Sequence, residues 1–220
     1  MVVWIKIEAT RFRHTLPLRA TSMHVKKSLR YLEDRWDDQV ASTLDQPELL
    51  RYRSNLLGSD LRITNFGGGN TSSKIQQTDP LSGRQEEVLW IKGSGGDLGS
   101  IKLAGLAALY SEKLQGLEHT YRGADYEDEM VEMYPLCAFG KNSVDASIDT
   151  PLHGFLPFPH IDHSHPDWGI ALAASANGRE KMEEFNHRFD HHLIWVPWQR
   201  PGFELAMMLR RAVQEGAWPL

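Results

Sequence analysis

Two glycine runs, Phe66-Gly67-Gly68-Gly69-Asn70 and Gly93-Ser94-Gly95-Gly96, constrain this chain more than any other feature. Each follows a segment that reads as a short strand, over 61–65 and 87–91. Consecutive glycines open positive φ to the backbone and let several N–H groups converge on one anion. Neither run is a dinucleotide fingerprint, because its third glycine would have to stand where Ser72 or Leu98 stands. No Gly-Lys-Ser/Thr follows either run, which removes the P-loop as well. The hydroxyls of Thr71, Ser72 and Ser94 suit a phosphate, yet glycines so placed also serve as plain tight turns. Both readings stand at this point.

Around these runs the pattern alternates. Leu29, Leu32, Trp36 and Val40 recur at helical spacing from Ser28, broken near Leu44. A second helix carries Pro47 early, where the missing N–H is harmless, then Leu49, Leu50, Tyr52, Leu56 and Leu57, with Gly58 as its stop. A strand is expected over 72–76, then a turn at Asp79-Pro80-Leu81-Ser82-Gly83. The spacing of Leu103, Leu106, Leu109, Tyr110 and Leu114 predicts a helix over 102–117, with an acidic helix over 126–133. Residues 194–198 read as a strand and 203–213 as a closing helix preceded by Pro201. With no repeat and no low-complexity stretch, this is one α/β or α+β domain. Trp168, Trp195 and Trp198 are expected in its core.

Composition removes several classes. At 41% apolar and 24% charged, the 220 residues exclude a disordered or collagen-like chain. The apolar run 170–174 is far too short to span a bilayer. A net charge of −5 disfavours nucleic acid as the main partner. The single cysteine, Cys137, cannot form an internal disulfide, which points to a reducing compartment, the cytoplasm. The first 22 residues differ in character, with Lys6, Arg11, Arg13 and Arg19 against one acid, Glu8. That balance fits a transit peptide, but Pro17 interrupts any amphipathic helix. An N-terminal extension, disordered or wrongly assigned, is expected over 1–22, with the domain over 23–220.

Seven of the ten histidines lie between positions 153 and 192. In an extended segment residues i and i+2 point the same way, so His163 and His165 present both imidazoles to one point. That arrangement suits two ligands of one Zn²⁺; a surface histidine cluster without metal is the alternative. His160 would face the other side. His187, His191 and His192 read as the exposed face and end of a charged helix. Asp149 opens a short helix, where its carboxylate is a sound N-cap. From that position it could also reach the histidine pair as a general acid or base.

Four segments taken in order carry a resemblance. They are Asn65-Phe66-Gly67-Gly68-Gly69-Asn70-Thr71-Ser72, Leu89-Trp90-Ile91-Lys92-Gly93-Ser94-Gly95-Gly96-Asp97-Leu98, Ser147-Ile148-Asp149-Thr150-Pro151-Leu152-His153 and Phe158-Pro159-His160-Ile161-Asp162-His163-Ser164-His165-Pro166-Asp167. Together they resemble the class II (zinc-dependent) aldolase/adducin family over about residues 28–213. Within it the chain is most similar to the aldolase part of the bifunctional rhamnulose-1-phosphate aldolase/alcohol dehydrogenases. The resemblance implies an α/β fold, a three-layer α/β/α domain whose mixed central sheet is mostly antiparallel. It implies cleavage of a ketose 1-phosphate to dihydroxyacetone phosphate and a small aldehyde, lactaldehyde for rhamnulose 1-phosphate. Asn70, Thr71, Ser94, Gly95 and Ser147 match its phosphate contacts, and His163 and His165 match two zinc ligands. Asp149 matches the catalytic acid/base, commonly a Glu. The family's third zinc ligand is a His in a Gly-His-Gly element beyond the closing helix, and no His follows His192 here. The resemblance therefore implies a domain incomplete at its C-terminus, or His153, His160, His191 or His192 in that role. It also leaves an inactive fragment, an adducin-like interaction module and a sugar-phosphate epimerase as alternatives, with a Schiff-base aldolase on Lys92 more distant. A homo-oligomer, often a tetramer, is implied as well, with no membrane or nucleic-acid partner.

Overall fold

The structure, a computed structural model, describes residues 4–7, 32–189 and 193–215. Five strands form one sheet: β1 (Trp4–Ile7), β2 (Asn70–Thr78), β3 (Gln85–Lys92), β4 (Leu106–Tyr110) and β5 (His160–Ser164). Their order is β1-β5-β2-β3-β4, and every pairing among them is antiparallel. The edge strand β1 thus comes from the stretch expected as an extension; the rest of 1–22 lies outside the described residues.

The β2–β3 hairpin closes where the turn was expected. The Asp79 carboxylate accepts the N–H groups of Leu81 (2.7 Å) and Ser82 (2.8 Å), an Asx turn, and Gly83 takes φ 71°. Helix α1 (Asp38–Ala41) is a single turn, because Asp37 caps it by accepting the N–H groups of Gln39 and Val40. The longer helix expected from Ser28 therefore stops short: residues 32–37 are irregular, and 28–31 lie outside the described residues. Leu32, Trp36 and Val40 remain exposed. Helix α2 (Gln46–Gly58) follows its signals, with Asp45 capping Glu48 N–H and Pro47 in the first turn.

Three expected elements take another form. Residues 61–65 are turns, held by Asp60, whose carboxylate accepts from the Arg62 backbone and guanidinium. The span 102–117 divides into a 3₁₀ turn (Leu103–Gly105), β4 and helix α3 (Ser111–Gly116). Leu106, Ala107, Ala108 and Leu109 are all buried, and a strand covered on both faces has no alternation to betray it. Residues 194–198 carry no regular structure. Trp168 and Trp198 are exposed rather than core, while Trp195 is half-buried beside Gly178.

The remaining helices are α4 (Glu127–Met133), α5 (Thr150–Gly154), α6 (Asp167–Ala174), α7 (Gly178–Phe189) and α8 (Phe203–Glu215). His187 lies in the last turn of α7, as its charged setting implied, and His191 and His192 fall outside the described residues. Leu89 and Ile91 of β3, with Ala107 and Leu109 of β4, pack against α3, α4, α5 and α8 through Leu114, Met130, Leu152 and Phe203. Trp90 and Leu106 face the other way, onto Leu50 of α2 and Ile101. The strand period of two thus splits one sheet between two helical layers, an α/β/α arrangement. Among the described residues no helix is long and apolar enough to cross a membrane.

Candidate active site

β2 and β5 lie side by side with Asn70 opposite His163 and Ser72 opposite Ile161. Alternation then sorts their side chains. Asn70, Ser72 and His163 face the α5 layer, while Thr71, Ser73, His160 and Asp162 face α2. The α2 face is bolted by Arg53, whose Nε donates to Asp162 Oδ1 (2.9 Å) and whose Nη2 donates to Ser72 O (2.7 Å). On that side the buried Thr71 hydroxyl pairs with Ser54 Oγ at 2.6 Å, and His160 Nδ1 pairs with Ser73 Oγ at 2.9 Å. A cavity of about 660 Å³ lies on the same side, between Trp36, Leu49, Arg53 and Asp162. It is remote in direction from the histidine pair.

The α5 face holds the polar cluster. The Asn70 amide is its centre: Nδ2 donates to Asp149 Oδ2 (3.1 Å) and Ser147 Oγ (3.4 Å), and Oδ1 accepts from His163 Nδ1 and His153 Nε2, both at 2.9 Å. This orientation of the amide turns its NH₂ toward the Asp149 carboxylate, which accepts. It follows that His163 carries its proton on Nδ1 and a lone pair on Nε2. That Nε2 stands 3.0 Å from His165 Nε2. Two bare lone pairs cannot face each other at that separation, so a proton or a cation must lie between them. Among the described residues no group of three or more His, Cys, Asp or Glu is placed to hold a metal ion.

Asp149 stands at the N-cap position of α5 but caps nothing, contrary to the capping expectation. Its Oδ2 turns to Asn70 and lies 3.8 Å from His163 Nδ1, and its buried Oδ1 has no hydrogen-bond partner. His153 is fully buried, with Nδ1 2.7 Å from Ser72 Oγ, so it sits behind Asn70 rather than beside His165. Ser94 and Gly95 form an exposed loop, Gly95 at φ 73°. Asp97 ties the two glycine loops together, accepting from Gly67 N–H (3.2 Å) and Gly99 N–H (3.1 Å). Lys92 is buried under the second loop and donates to Gly95 O (2.9 Å). Asn70, Ser147, Asp149, His163 and His165 are therefore brought together, Ser94 and Gly95 lie on the adjoining loop, and the Thr71 side chain is turned away. The parts played by His153 and Asp97 were not legible, because both depend on partners distant in sequence.

Burial pushes His163 down to about 4, partly opposed by Asp149, and lowers His153 and His165 in the same direction. Burial also lowers Lys92, against the pull of Asp149 and Asp97. Between about 4 and the unfolded value of 6.5, the unfolded metal-free chain binds more protons than the folded one. The stability held by a neutral His163 is complete above pH 6.5 and is lost as pH falls toward 4. We expect a loss of order 1–3 kcal/mol, seen as a falling urea midpoint. A slope unchanged in His163→Gln would remove His163 as its source.

The fold is that of a class II aldolase domain. Residues 50–218 match the family described as "Class II Aldolase and Adducin N-terminal domain", and the chain belongs to that family. It is 39% identical over 179 residues to the "Uncharacterized oxidoreductase YuxG" of Bacillus subtilis (strain 168), an alignment covering 81% of this chain and 25% of that protein. The chain thus spans about a quarter of the length of that relative. Among solved structures it is similar to the N-terminal class II aldolase domain of a conserved protein from Thermoplasma acidophilum. The TM-score is 0.67 at 26% identity, covering 83% of this chain and 78% of that one.

Proposed function

We propose that the chain is the aldolase domain of a zinc-dependent lyase acting on a ketose 1-phosphate of the rhamnulose 1-phosphate kind. Its products would be dihydroxyacetone phosphate and a small aldehyde such as lactaldehyde. The observation that carries this reading is the meeting of His163 and His165 at 3.0 Å beside a carboxylate with one unpartnered oxygen. Two of the three protein ligands usual at a catalytic zinc are present: two neutral imidazoles suit a borderline cation, and the Asn70 carbonyl orients one of them from behind. His163 and His165 would hold the zinc. The chemistry that Zn²⁺ supplies when bound is Lewis-acid stabilisation of the negative charge developing on the substrate as its C–C bond breaks.

The chain's own residues do the rest. Asn70 fixes one oxygen of Asp149, leaving Oδ1 to exchange a proton with the carbon that loses its bond partner. The Ser94–Gly95 loop and the Ser147 hydroxyl would hold the phosphate, so that only one C–C bond is aligned for cleavage. The Thr71 side chain takes no part, being spent on Ser54. A cytoplasmic location and a symmetric oligomer, a tetramer by family resemblance, belong to the same reading; the lone, buried Cys137 supports a reducing compartment.

The test is release of dihydroxyacetone phosphate from rhamnulose 1-phosphate by the chain supplied with Zn²⁺. We expect EDTA-sensitive release, and a kcat lowered about 100-fold in Asp149→Asn with KM little changed. No release from the zinc-supplied chain would overturn the reading. A family epimerase would instead return a stereoisomer of its substrate with no triose phosphate set free.

A further inference from the structure

The two glycine loops leave neighbouring strands at the same end of the β2–β3 hairpin, and one side chain joins them. Asp97 Oδ2 accepts from Gly99 N–H (3.1 Å), two residues on, which caps the 3₁₀ turn Leu98–Ser100. Its Oδ1 crosses to the first loop and accepts from Gly67 N–H (3.2 Å), 30 positions away. A cap alone needs one oxygen, and serine or asparagine would serve there. Two oxygens that both accept are the property of an ionised carboxylate. Its charge is balanced in place, because Lys92 lies buried beneath the second loop, donates to Gly95 O and is attracted by Asp97.

The first loop in turn lies against the histidine segment. A Cβ built on Gly68 would stand 3.0 Å from His165 Nδ1, and one on Gly69 would stand 2.7 Å from His163 O. The loop's own hydrogen bond, from Gly68 N–H to Asn65 O (3.0 Å), closes its turn without reaching the second loop. We propose that Asp97 is a positioning residue that clasps the two glycine loops into one unit, holding the first against His165 and the second in shape to receive an anion. The clasp stands on geometry; its use in holding a substrate phosphate rests on the functional reading above. Asp97 acts here through Gly67 and Gly99 rather than on the substrate. An anion then meets loops already ordered, which lowers the cost of binding it.

Asp97→Ser tests this by setting two effects against each other. The short hydroxyl keeps the cap on Gly99 but cannot reach Gly67 as well, so the clasp is lost while the turn remains. The substitution also removes a negative charge beside the second loop, and charge alone would tighten the binding of inorganic phosphate. Loss of the clasp acts the other way. We expect phosphate to bind about 10-fold more weakly, by titration of the full, metal-free chain. Without phosphate, Gly67 N–H should exchange with solvent about 10-fold faster than in the wild type, measured by NMR. If Asp97→Ser does not fold, Asp97→Asn decides the matter. Its single accepting oxygen cannot serve both loops, so exchange should rise at Gly67 or at Gly99, and phosphate should again bind more weakly. Exchange unchanged from the wild type, or phosphate bound equally or more tightly, in the folded variant would overturn the proposal. The two readings fail separately: a wild type that binds no phosphate overturns the phosphate role in the functional reading, whereas the exchange rates need no ligand.

Discussion

Asn70→Leu should destabilise the chain by about 3–5 kcal/mol, the largest loss expected from any near-isosteric change in it. Leucine nearly matches the volume, so no large cavity opens. What changes is polar satisfaction. Asp149, Ser147, His153 and His163 each lose a partner, and all but Asp149 are buried. A buried polar group left unmatched costs about 1–3 kcal/mol, and the four costs are not fully additive because the freed groups can turn toward one another. Asn70→Asp should also fail, by another route, since it sets a carboxylate against that of Asp149. Urea unfolding measures both. A loss below about 1 kcal/mol for Asn70→Leu would mean that the cluster is wetter and looser than its burial implies.

Gly58→Ala should cost about 3 kcal/mol, the upper end for overpacking. A Cβ there would overlap Gly99 N and stand 2.5 Å from Leu98 C and 2.6 Å from Gly99 Cα. These are backbone atoms, which cannot swing aside as the end of a side chain can. The same helix grips that segment again, with Asn55 Nδ2 donating to Leu98 O and Ile101 O, both at 3.1 Å. Since only Asp97 separates Leu98 from the second glycine loop, a displaced α2 should also disturb Ser94 and Gly95. Gly116→Ala is the control: the added Cβ meets nothing within 4 Å, and at a helical position it should be neutral or stabilising by about 0.5–1 kcal/mol. Equal midpoints for the two variants would show that α2 is not seated against residues 98–99.

The start of α2 around Pro47 and the Asp79 turn were legible because each is decided within a few residues. The shared direction of His163 and His165 was legible for the same reason, from the period of an extended chain. What could not be read is which strand lies beside which. The register that sets Asn70 opposite His163 joins residues far apart, and so does the hydrogen bond that draws Asp149, 79 positions from Asn70, out of its capping role. Leu106 to Leu109 were misread because burial on both faces erases the alternation that distinguishes a strand. Trp168 and Trp198 show the converse, since a large apolar side chain is no guarantee of burial.

The β2–β3 hairpin brings both glycine loops to its open end, while its closed end carries Leu81 almost fully in solvent. Nine residues of β2 at about 3.3 Å each put roughly 30 Å between the two ends. The hairpin therefore works as a handle. A fluorophore, an affinity tag or a surface tether joined at residues 81–83 would sit a full strand length from Asn70 and the histidines, so the protein can be immobilised or tracked there while its chemistry proceeds undisturbed at the other end.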